Sequence, residues 1–447
     1  MLSAEDNKIL TEVDAGTPMG ELFRRFWLPA MLSEELPGPD CAPVRVRLLG
    51  EDMVAFRDSD GKVGVVDAYC PHRNAPMFFG RNEESGLRCI YHGWKFDVDG
   101  NCTDMPNCWE GESFKNRVKI TSYPTFEGGD MIWLYMGPKD RIPPKPAYEF
   151  LDAPPEHRYV LKFFVNCNYL NSLENEFSDG HAAFLHSQQF VGPNGGPQKV
   201  ITGDGTPLSR VPTDPALRTV VDTDFGQVSV LRRPDTEDGR EVYVVGFPFW
   251  FPCFSAAGAL NAPGVYPLNI KVPVDNENFV FFRYKWSEKP LTEKALFEMR
   301  AGGFEFPELI PGTYWPVQNK SNDYQIDRVK QRFYNYSGMM NTPVEDLAVL
   351  ENQRGAIADR TREVLVSTDK GIIQGRRRLL EAALALADGV EPKEPWHPEA
   401  YRFRPGVVTV AAGTPVEEAI QPVLRPVPPR RYGPDGLIDE DDLVAAD

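Results

Sequence analysis

Two short stretches, Cys70-Pro71-His72 and Cys89-Ile90-Tyr91-His92-Gly93-Trp94-Lys95-Phe96, repeat one pattern with sixteen residues between them. Each pairs a cysteine with a histidine two or three positions on, and each interrupts a chain of β character. Around them the sequence alternates in short runs: Val44-Arg45-Val46-Arg47-Leu48-Leu49, Met53-Val54-Ala55-Phe56 before Asp60-Gly61, and Trp94-Lys95-Phe96 before Asp99-Gly100. Period-two alternation broken by Asp-Gly turns is the pattern of half-buried strands joined in hairpins. Residues 41–140 therefore read as a small all-β domain carrying two thiols and two imidazoles on neighbouring loops.

That ligand mixture suits a Rieske [2Fe–2S] cluster, in which two thiolates hold one iron and two imidazoles the other, raising the potential above that of an all-cysteine cluster. The competing reading is structural zinc, but zinc knuckles usually open with two cysteines two to four residues apart. Cys102 and Cys108 lie close by in sequence and read as packed small hydrophobes rather than ligands. With Arg73, Gly80 and Gly93-Trp94-Lys95-Phe96 as neighbours, the two pairs resemble the Rieske motif of ring-hydroxylating oxygenases.

The bulk numbers are compatible with an enzyme of this kind. A chain of 447 residues exceeds one ordinary core, so more than one domain is expected. Lysine and arginine total 48 against 65 acidic residues, a net charge of −17, which argues against nucleic acid or an anionic membrane as partner. No basic-then-apolar leader and no long apolar run is present, and seven scattered cysteines fit a reducing compartment, so the cytoplasm is the expected location. No glycine-rich dinucleotide fingerprint occurs, so electrons are expected from another protein.

Of the six histidines, two more form a second cluster, His181 and His186, beside Glu174, Glu176 and Asp179. Two histidines and one carboxylate on a single face of Fe(II) leave positions open for O2. Five residues turn a regular helix about 140° away from a shared face, so shared ligation requires the helix of residues 168–190 to distort or end there. A third ligand is expected downstream, where Asn341-Thr342-Pro343-Val344-Glu345-Asp346 opens a helical region spanning roughly 342–387. Thr342 and Glu345 match a capping box, which assigns Glu345 to the helix cap and leaves Asp346 as the ligand.

Further stretches are similar to the phthalate-type branch of Rieske oxygenases: Gly16-Thr17-Pro18-Met19-Gly20-Glu21-Leu22-Phe23-Arg24-Arg25, Asn322 to Arg328, and Ile357 to Glu363. The resemblance implies an α+β protein, a small all-β Rieske domain followed by an antiparallel sheet wrapped around a helix. The organisation expected is an N-terminal helical segment (1–40), the Rieske domain (41–140), a mononuclear iron domain (150–400), and an extended C-terminal arm or tail (401–447). It implies Cys70, His72, Cys89 and His92 as cluster ligands, and His181, His186 and Asp346 as ligands of mononuclear Fe(II). It also implies a head-to-tail homotrimer, in which the cluster of one subunit faces the iron of the next. Electrons would come from NADH through a separate reductase carrying FMN and a plant-type [2Fe–2S] centre. The family's bridging aspartate, three residues before the first iron histidine, is replaced here by Ser178. Asp179 is the favoured substitute, with Glu174, Glu176 or a water on Ser178 as alternatives.

The expected reaction is O2-dependent attack on an aromatic acid, by ring dihydroxylation, monooxygenation or O-demethylation. The alternative is a Rieske electron carrier with a non-catalytic second domain. Phe247, Phe249, Trp250, Phe251, Phe254 and Tyr266 suit a flat ligand, although core packing is the commoner fate of such residues. Arg210, Arg218, Arg232 and Arg233 are the arginines of this region that a substrate carboxylate would call for.

Overall fold

The structure is a computed structural model that describes residues 2–109, 113–177, 181, 184–186, 199–201, 207–209, 218–234, 240–256, 264–303, 305–429 and 432. It divides into two compact units, Val13–Lys145 and the pair of segments Met1–Glu12 and Pro146–Asp447. The boundary between Lys145 and Pro146 falls in a proline-rich stretch that includes Pro143, Pro144 and Pro146. The expected N-terminal helical segment is divided between the units: helix α1 (Ala4–Thr11) belongs to the larger, helix α2 (Pro18–Phe23) to the smaller.

In the smaller unit, Thr17 caps α2 by accepting the Gly20 N–H, with Pro18 at the first helical position. The helix stops at Phe23, well inside the expected segment 1–40, and Trp27 opens strand β1 (Trp27–Leu32), buried along its whole length. Strands β2 (Val44–Leu48), β3 (Glu51–Arg57) and β4 (Val63–Asp67) form an antiparallel sheet with β9 (Ser122–Tyr123). A second four-stranded sheet holds β5 (Arg81–Glu83), β6 (Gly86–Arg88), β7 (Lys95–Phe96) and β8 (Cys102–Asp104). Strands β10 (Thr125–Gly128) and β11 (Met131–Tyr135) complete a three-stranded sheet with β1. Val54, Phe56, Val66, Met77, Leu87, Phe96 and Ile120 form the core beneath the two cysteine loops. Cys102 joins that core and Cys108 packs against it, as small hydrophobes do.

The larger unit opens with helix α3 (Glu149–Asp152) and strand β12 (Arg158–Val165). After helix α4 (Tyr169–Phe177) come a small hairpin, β13 (Lys199–Ile201) and β14 (Pro207–Ser209), and then β15 (Arg218–Asp222), β16 (Gly226–Pro234), β17 (Arg240–Trp250), β18 (Phe254–Ser255), β19 (Val265–Pro273) and β20 (Phe279–Ser287). Apart from the hairpin these strands pair in the order β12-β20-β19-β18-β17-β16-β15, and each pairing is antiparallel. Part of the expected C-terminal arm joins this sheet: β21 (Gly406–Ala411) pairs with Arg240–Val245 of β17. Most of the tail beyond residue 429 lies outside the described residues.

Both faces of the sheet are covered. On one, Tyr148 meets Trp250 and Phe254 and Phe150 meets Tyr284 through ring contacts, with Tyr401 packed edge-on against Tyr148. The other face receives α4: Phe177 packs edge-on against Phe249 at 4.9 Å, while Asn269 and Lys271 bond Glu176. Helices α5 (Glu293–Arg300) and α6 (Arg328–Phe333) follow. The long helical region expected over 342–387 is two helices, α7 (Thr342–Leu350) and α8 (Lys370–Ala387). The intervening segment is held by Arg360, itself buried. Its Nε donates to Glu174 at 2.8 Å, and its Nη2 to Asn171 at 3.0 Å.

Candidate metal centres

The two cysteine–histidine pairs occupy matching loops. In one, the Cys70 N–H donates to the Ala75 carbonyl at 2.9 Å and the Asn74 N–H returns to Cys70 at 2.9 Å. In the other, Cys89 donates to Trp94 at 2.8 Å and Gly93 returns to Cys89 at 3.0 Å. The fifth residue of each loop is left-handed, Asn74 with φ 54° and Gly93 with φ 79°, which suits asparagine and glycine. Both thiols are buried and both imidazoles partly exposed. The rings of His72 and His92 lie 4.5 Å apart, and Trp94 stacks on His72 at 4.3 Å. Burial, with the Cys89 thiol beside it, pushes the Cys70 thiol up to about 11. The Nδ1 of His92 is buried with no hydrogen-bond partner, an orphan acceptor that a metal ion would satisfy. Two buried thiols and two imidazoles on facing loops, one with an unpartnered buried nitrogen, fit a [2Fe–2S] group.

In the larger unit, His181, His186 and Asp346 bring one ligand atom each within 4.8 Å of the others. Helix α4 ends at Phe177, so His181 and His186 are not on one helix. From His181 the chain makes a turn, its carbonyl accepting the N–H of Phe184 at 3.1 Å and of Leu185 at 2.8 Å. That turn places the two rings 5.1 Å apart and near perpendicular, at 80°. Among the described residues α4 runs to Phe177 and residues 184–186 form a turn, so the regular helix expected over 168–190 is not found at His186. Asp346 Oδ1 lies 3.1 Å from His186 Nε2 and 3.8 Å from His181 Nε2, and accepts from Asn175 Nδ2 at 3.0 Å.

Glu345 does something other than its sequence context suggested. The N-cap of α7 is Asn341, whose side chain accepts the Val344 N–H, so Thr342 is already helical and Glu345 sits one position beyond the capping box. Its fully buried carboxylate instead accepts from Nδ1 of His186 at 2.7 Å and from the Ser337 hydroxyl. A capping assignment depends on which of two adjacent cap-competent residues starts the helix, and sequence does not choose between asparagine and threonine.

His186 lies between the two carboxylates, Glu345 on its Nδ1 side and Asp346 on its Nε2 side. Burial opposes the charge, but Asp346 and Glu345 push the ring up to about 10. Burial likewise acts to raise the Asp346 carboxyl, and His186 beside it overrides that and holds the group below its ordinary range. Two imidazoles and a carboxylate converging on one point, with an anion behind one ring, make a donor set suited to a divalent transition metal.

Of the candidate bridging acids, Asp179 and Ser178 lie outside the described residues. The two glutamates have other occupations. Glu174 accepts from Arg360 and, through both oxygens, from Arg376 at 2.6 and 2.9 Å. Glu176 accepts from Asn269 at 2.7 Å and from the fully buried Lys271 at 3.2 Å. The aromatic candidates divide between the two faces. Phe249 faces α4, whereas Trp250 and Phe254 pack on the far side, and Tyr266 stacks on Trp286 beneath Arg404. Phe251 is buried next to Phe249, and the Phe247 side chain lies outside the described residues. Among the arginines, Arg232 is bound to Glu241, and the side chains of Arg210, Arg218 and Arg233 lie outside the described residues.

Comparison with known proteins places these sites in a class. The Rieske [2Fe-2S] domain family matches residues 26–124, and the family described as LigXa C-terminal domain like matches residues 134–399. The chain is 38% identical over 397 residues to the phthalate 4,5-dioxygenase oxygenase subunit of Pseudomonas putida, covering 87% of this chain and 88% of that one. It is 30% identical to the 5,5'-dehydrodivanillate O-demethylase oxygenase subunit of a Sphingobium species, over 88% of this chain and 83% of that one. The solved structure of NdmB from Pseudomonas putida CBB5 is similar in fold, with a TM-score of 0.56 and 20% identity over 87% of this chain and 97% of that one. The chain belongs to the Rieske non-haem iron oxygenase family. Within it, the chain is the oxygenase component of a multicomponent aromatic ring-hydroxylating or O-demethylating system, a catalytic subunit rather than an electron carrier. No helix among the described residues is long and apolar enough to cross a membrane.

Proposed function

We propose that this oxygenase oxidises an aromatic acid at a mononuclear Fe(II) held by His181, His186 and Asp346, with Cys70, His72, Cys89 and His92 holding the [2Fe–2S] cluster. The observation that carries the reading is the convergence of the two imidazoles and Asp346 within 4.8 Å in the unit that lacks the cluster. Bound there, iron would supply O2 activation. The chain's own residues keep the ligands in place. Asn175 pins Asp346 Oδ1, and Glu345 takes the Nδ1 side of His186, so that Nε2 faces the other two ligands.

An aromatic acid is favoured because both similar subunits are named for aromatic carboxylates, phthalate and dehydrodivanillate. Ring hydroxylation and O-demethylation are both represented in those names. The electron supply proposed is NADH through a separate FMN/[2Fe–2S] reductase, with Asp179 relaying between cluster and iron. Assembly as a homotrimer in the cytoplasm is part of the same reading. Exposed apolar side chains on each unit, Phe79, Ile90 and Tyr91 on one and Phe333, Tyr334 and Tyr336 on the other, support burial against further copies.

The test is metal content and turnover of anaerobically purified protein. About three irons per chain and a Rieske absorption spectrum are expected, the cluster contributing two and the mononuclear site one. Asp346→Ala should lose the third iron and all substrate-dependent O2 uptake, while the cluster spectrum stays. Full iron occupancy and O2 uptake in that variant would overturn the ligand assignment. Light scattering should give three chains of 50.3 kDa.

A further inference from the structure

A row of side chains crosses the sheet on the face that receives α4. Register places Phe249 opposite Ser255, Ser255 opposite Asn269, and Asn269 opposite Arg283. Beyond Phe249, the row of Ser255, Asn269 and Arg283 and its neighbour Lys271 are polar where a core would be apolar. Lys271 is fully buried and bonds Ser255 Oγ at 2.6 Å and Glu176 at 3.2 Å. Asn269 donates to the same Glu176 oxygen at 2.7 Å, while its own Oδ1 accepts from Arg283 Nη1 at 2.9 Å. Glu176 thus answers the charge of Lys271. Arg283 is left with one carboxamide and the face of Phe306, 5.9 Å away, and no carboxylate among the described residues. A half-buried guanidinium with one neutral acceptor is a cation short of an anion, since arginine's fork is built to take two carboxylate oxygens.

Two chains of contacts lead from this guanidinium toward the residues of the proposed iron site. Through Asn269 it reaches Glu176, whose chain neighbour Asn175 donates to Asp346. Through Phe306 it reaches the start of α7, because Asn341, the cap of that helix, donates to the Phe306 carbonyl at 2.6 Å. Arg283 thus lies on the sheet face that receives α4, one side chain removed from Glu176. Tyr159, packed edge-on against Phe306 at 5.1 Å, adds a second ring to the wall.

We propose that Arg283 binds the substrate's carboxylate and so selects aromatic acids over neutral analogues; this rests on the reading of the site as an oxidase of aromatic acids. Asn269 positions the guanidinium, and Glu176 with Lys271 keeps Asn269 from turning.

The experiment uses the iron-loaded, cluster-containing oxygenase and measures calorimetric binding of phthalate, benzoate and benzamide. Wild type should bind at least one acid at least tenfold more tightly than benzamide. Arg283→Gln should weaken that acid about 30-fold or more and leave benzamide unchanged, with cluster spectrum and iron content intact, and Arg283→Lys should fall between. Acid binding in Arg283→Gln equal to wild type would overturn the assignment. So would parallel loss of acid and benzamide, which marks a merely structural residue. Should Arg283→Gln not fold, undiminished acid selectivity in Arg283→Lys, which lacks the planar fork, would overturn it as well. If wild type binds neither acid, the aromatic-acid reading fails first, and the role of Arg283 falls with it.

Discussion

Replacing Glu345 by glutamine removes one charge and keeps the shape of a fully buried side chain. The glutamine oxygen can still accept from His186 Nδ1, and its amide can donate to the Ser337 hydroxyl, so both contacts survive as neutral hydrogen bonds. What is lost is the charge-assisted part of the His186 bond, now 2.7 Å long. Hydrogen bonds to charged groups contribute about 1.5–3 kcal/mol against about 1 for neutral ones, so the change costs about 0.5–2 kcal/mol at the ring. Losing a partner behind a metal-binding imidazole typically lowers metal affinity about 10- to 100-fold, or about 1.4–2.7 kcal/mol. Iron affinity is measured by equilibration against a ferrous chelator, with absorbance of the cluster in the other unit as internal reference. A fall of about tenfold with an unchanged cluster spectrum is expected. Unchanged affinity would refute the argument that Glu345 serves the ligand.

Three further substitutions probe the scaffold. Glu174→Ala leaves buried Arg360 without a carboxylate and buried Arg376 with Glu363 alone, and should destabilise the larger unit by about 3–5 kcal/mol; denaturant unfolding showing less than 1 kcal/mol would contradict this. Gly93→Ala puts a Cβ 2.7 Å from Pro106 Cγ at a positive φ, and should lower cluster occupancy measured by iron and sulfide assay, whereas full occupancy would mean the loop yields freely. Tyr324→Phe removes a hydroxyl bonded to buried Glu351 at 2.5 Å, in a run of three left-handed residues, and should cost about 1–3 kcal/mol in chemical unfolding. A loss within error would mean that Asn352 and water compensate.

What each level of description decided can be followed residue by residue. The sequence by itself determined the cluster ligands as a candidate set, because two thiols and two imidazoles at short spacing are local chemistry. It also determined the β character around them, since alternation and Asp-Gly turns are local too. The same holds for the start of α2, where Thr17 and Pro18 cap and open the helix without help from elsewhere. The break between α7 and α8 was not legible, because it depends on Arg360 binding Glu174 and Asn171, residues nearly two hundred positions away.

Three roles were decided by tertiary structure alone. Glu345 was assigned to a cap by its neighbours, and only folding brings His186 against it across 159 residues. Glu174 and Glu176 were interchangeable acids in the sequence, until cations from α8, the 356–363 segment and β19 claimed them. Arg283 drew no attention in an alternating strand, where an arginine is ordinarily a solvated face. Its meaning comes from having no carboxylate partner among the described residues, and a missing counter-charge is a property of everything packed around a residue rather than of the chain beside it.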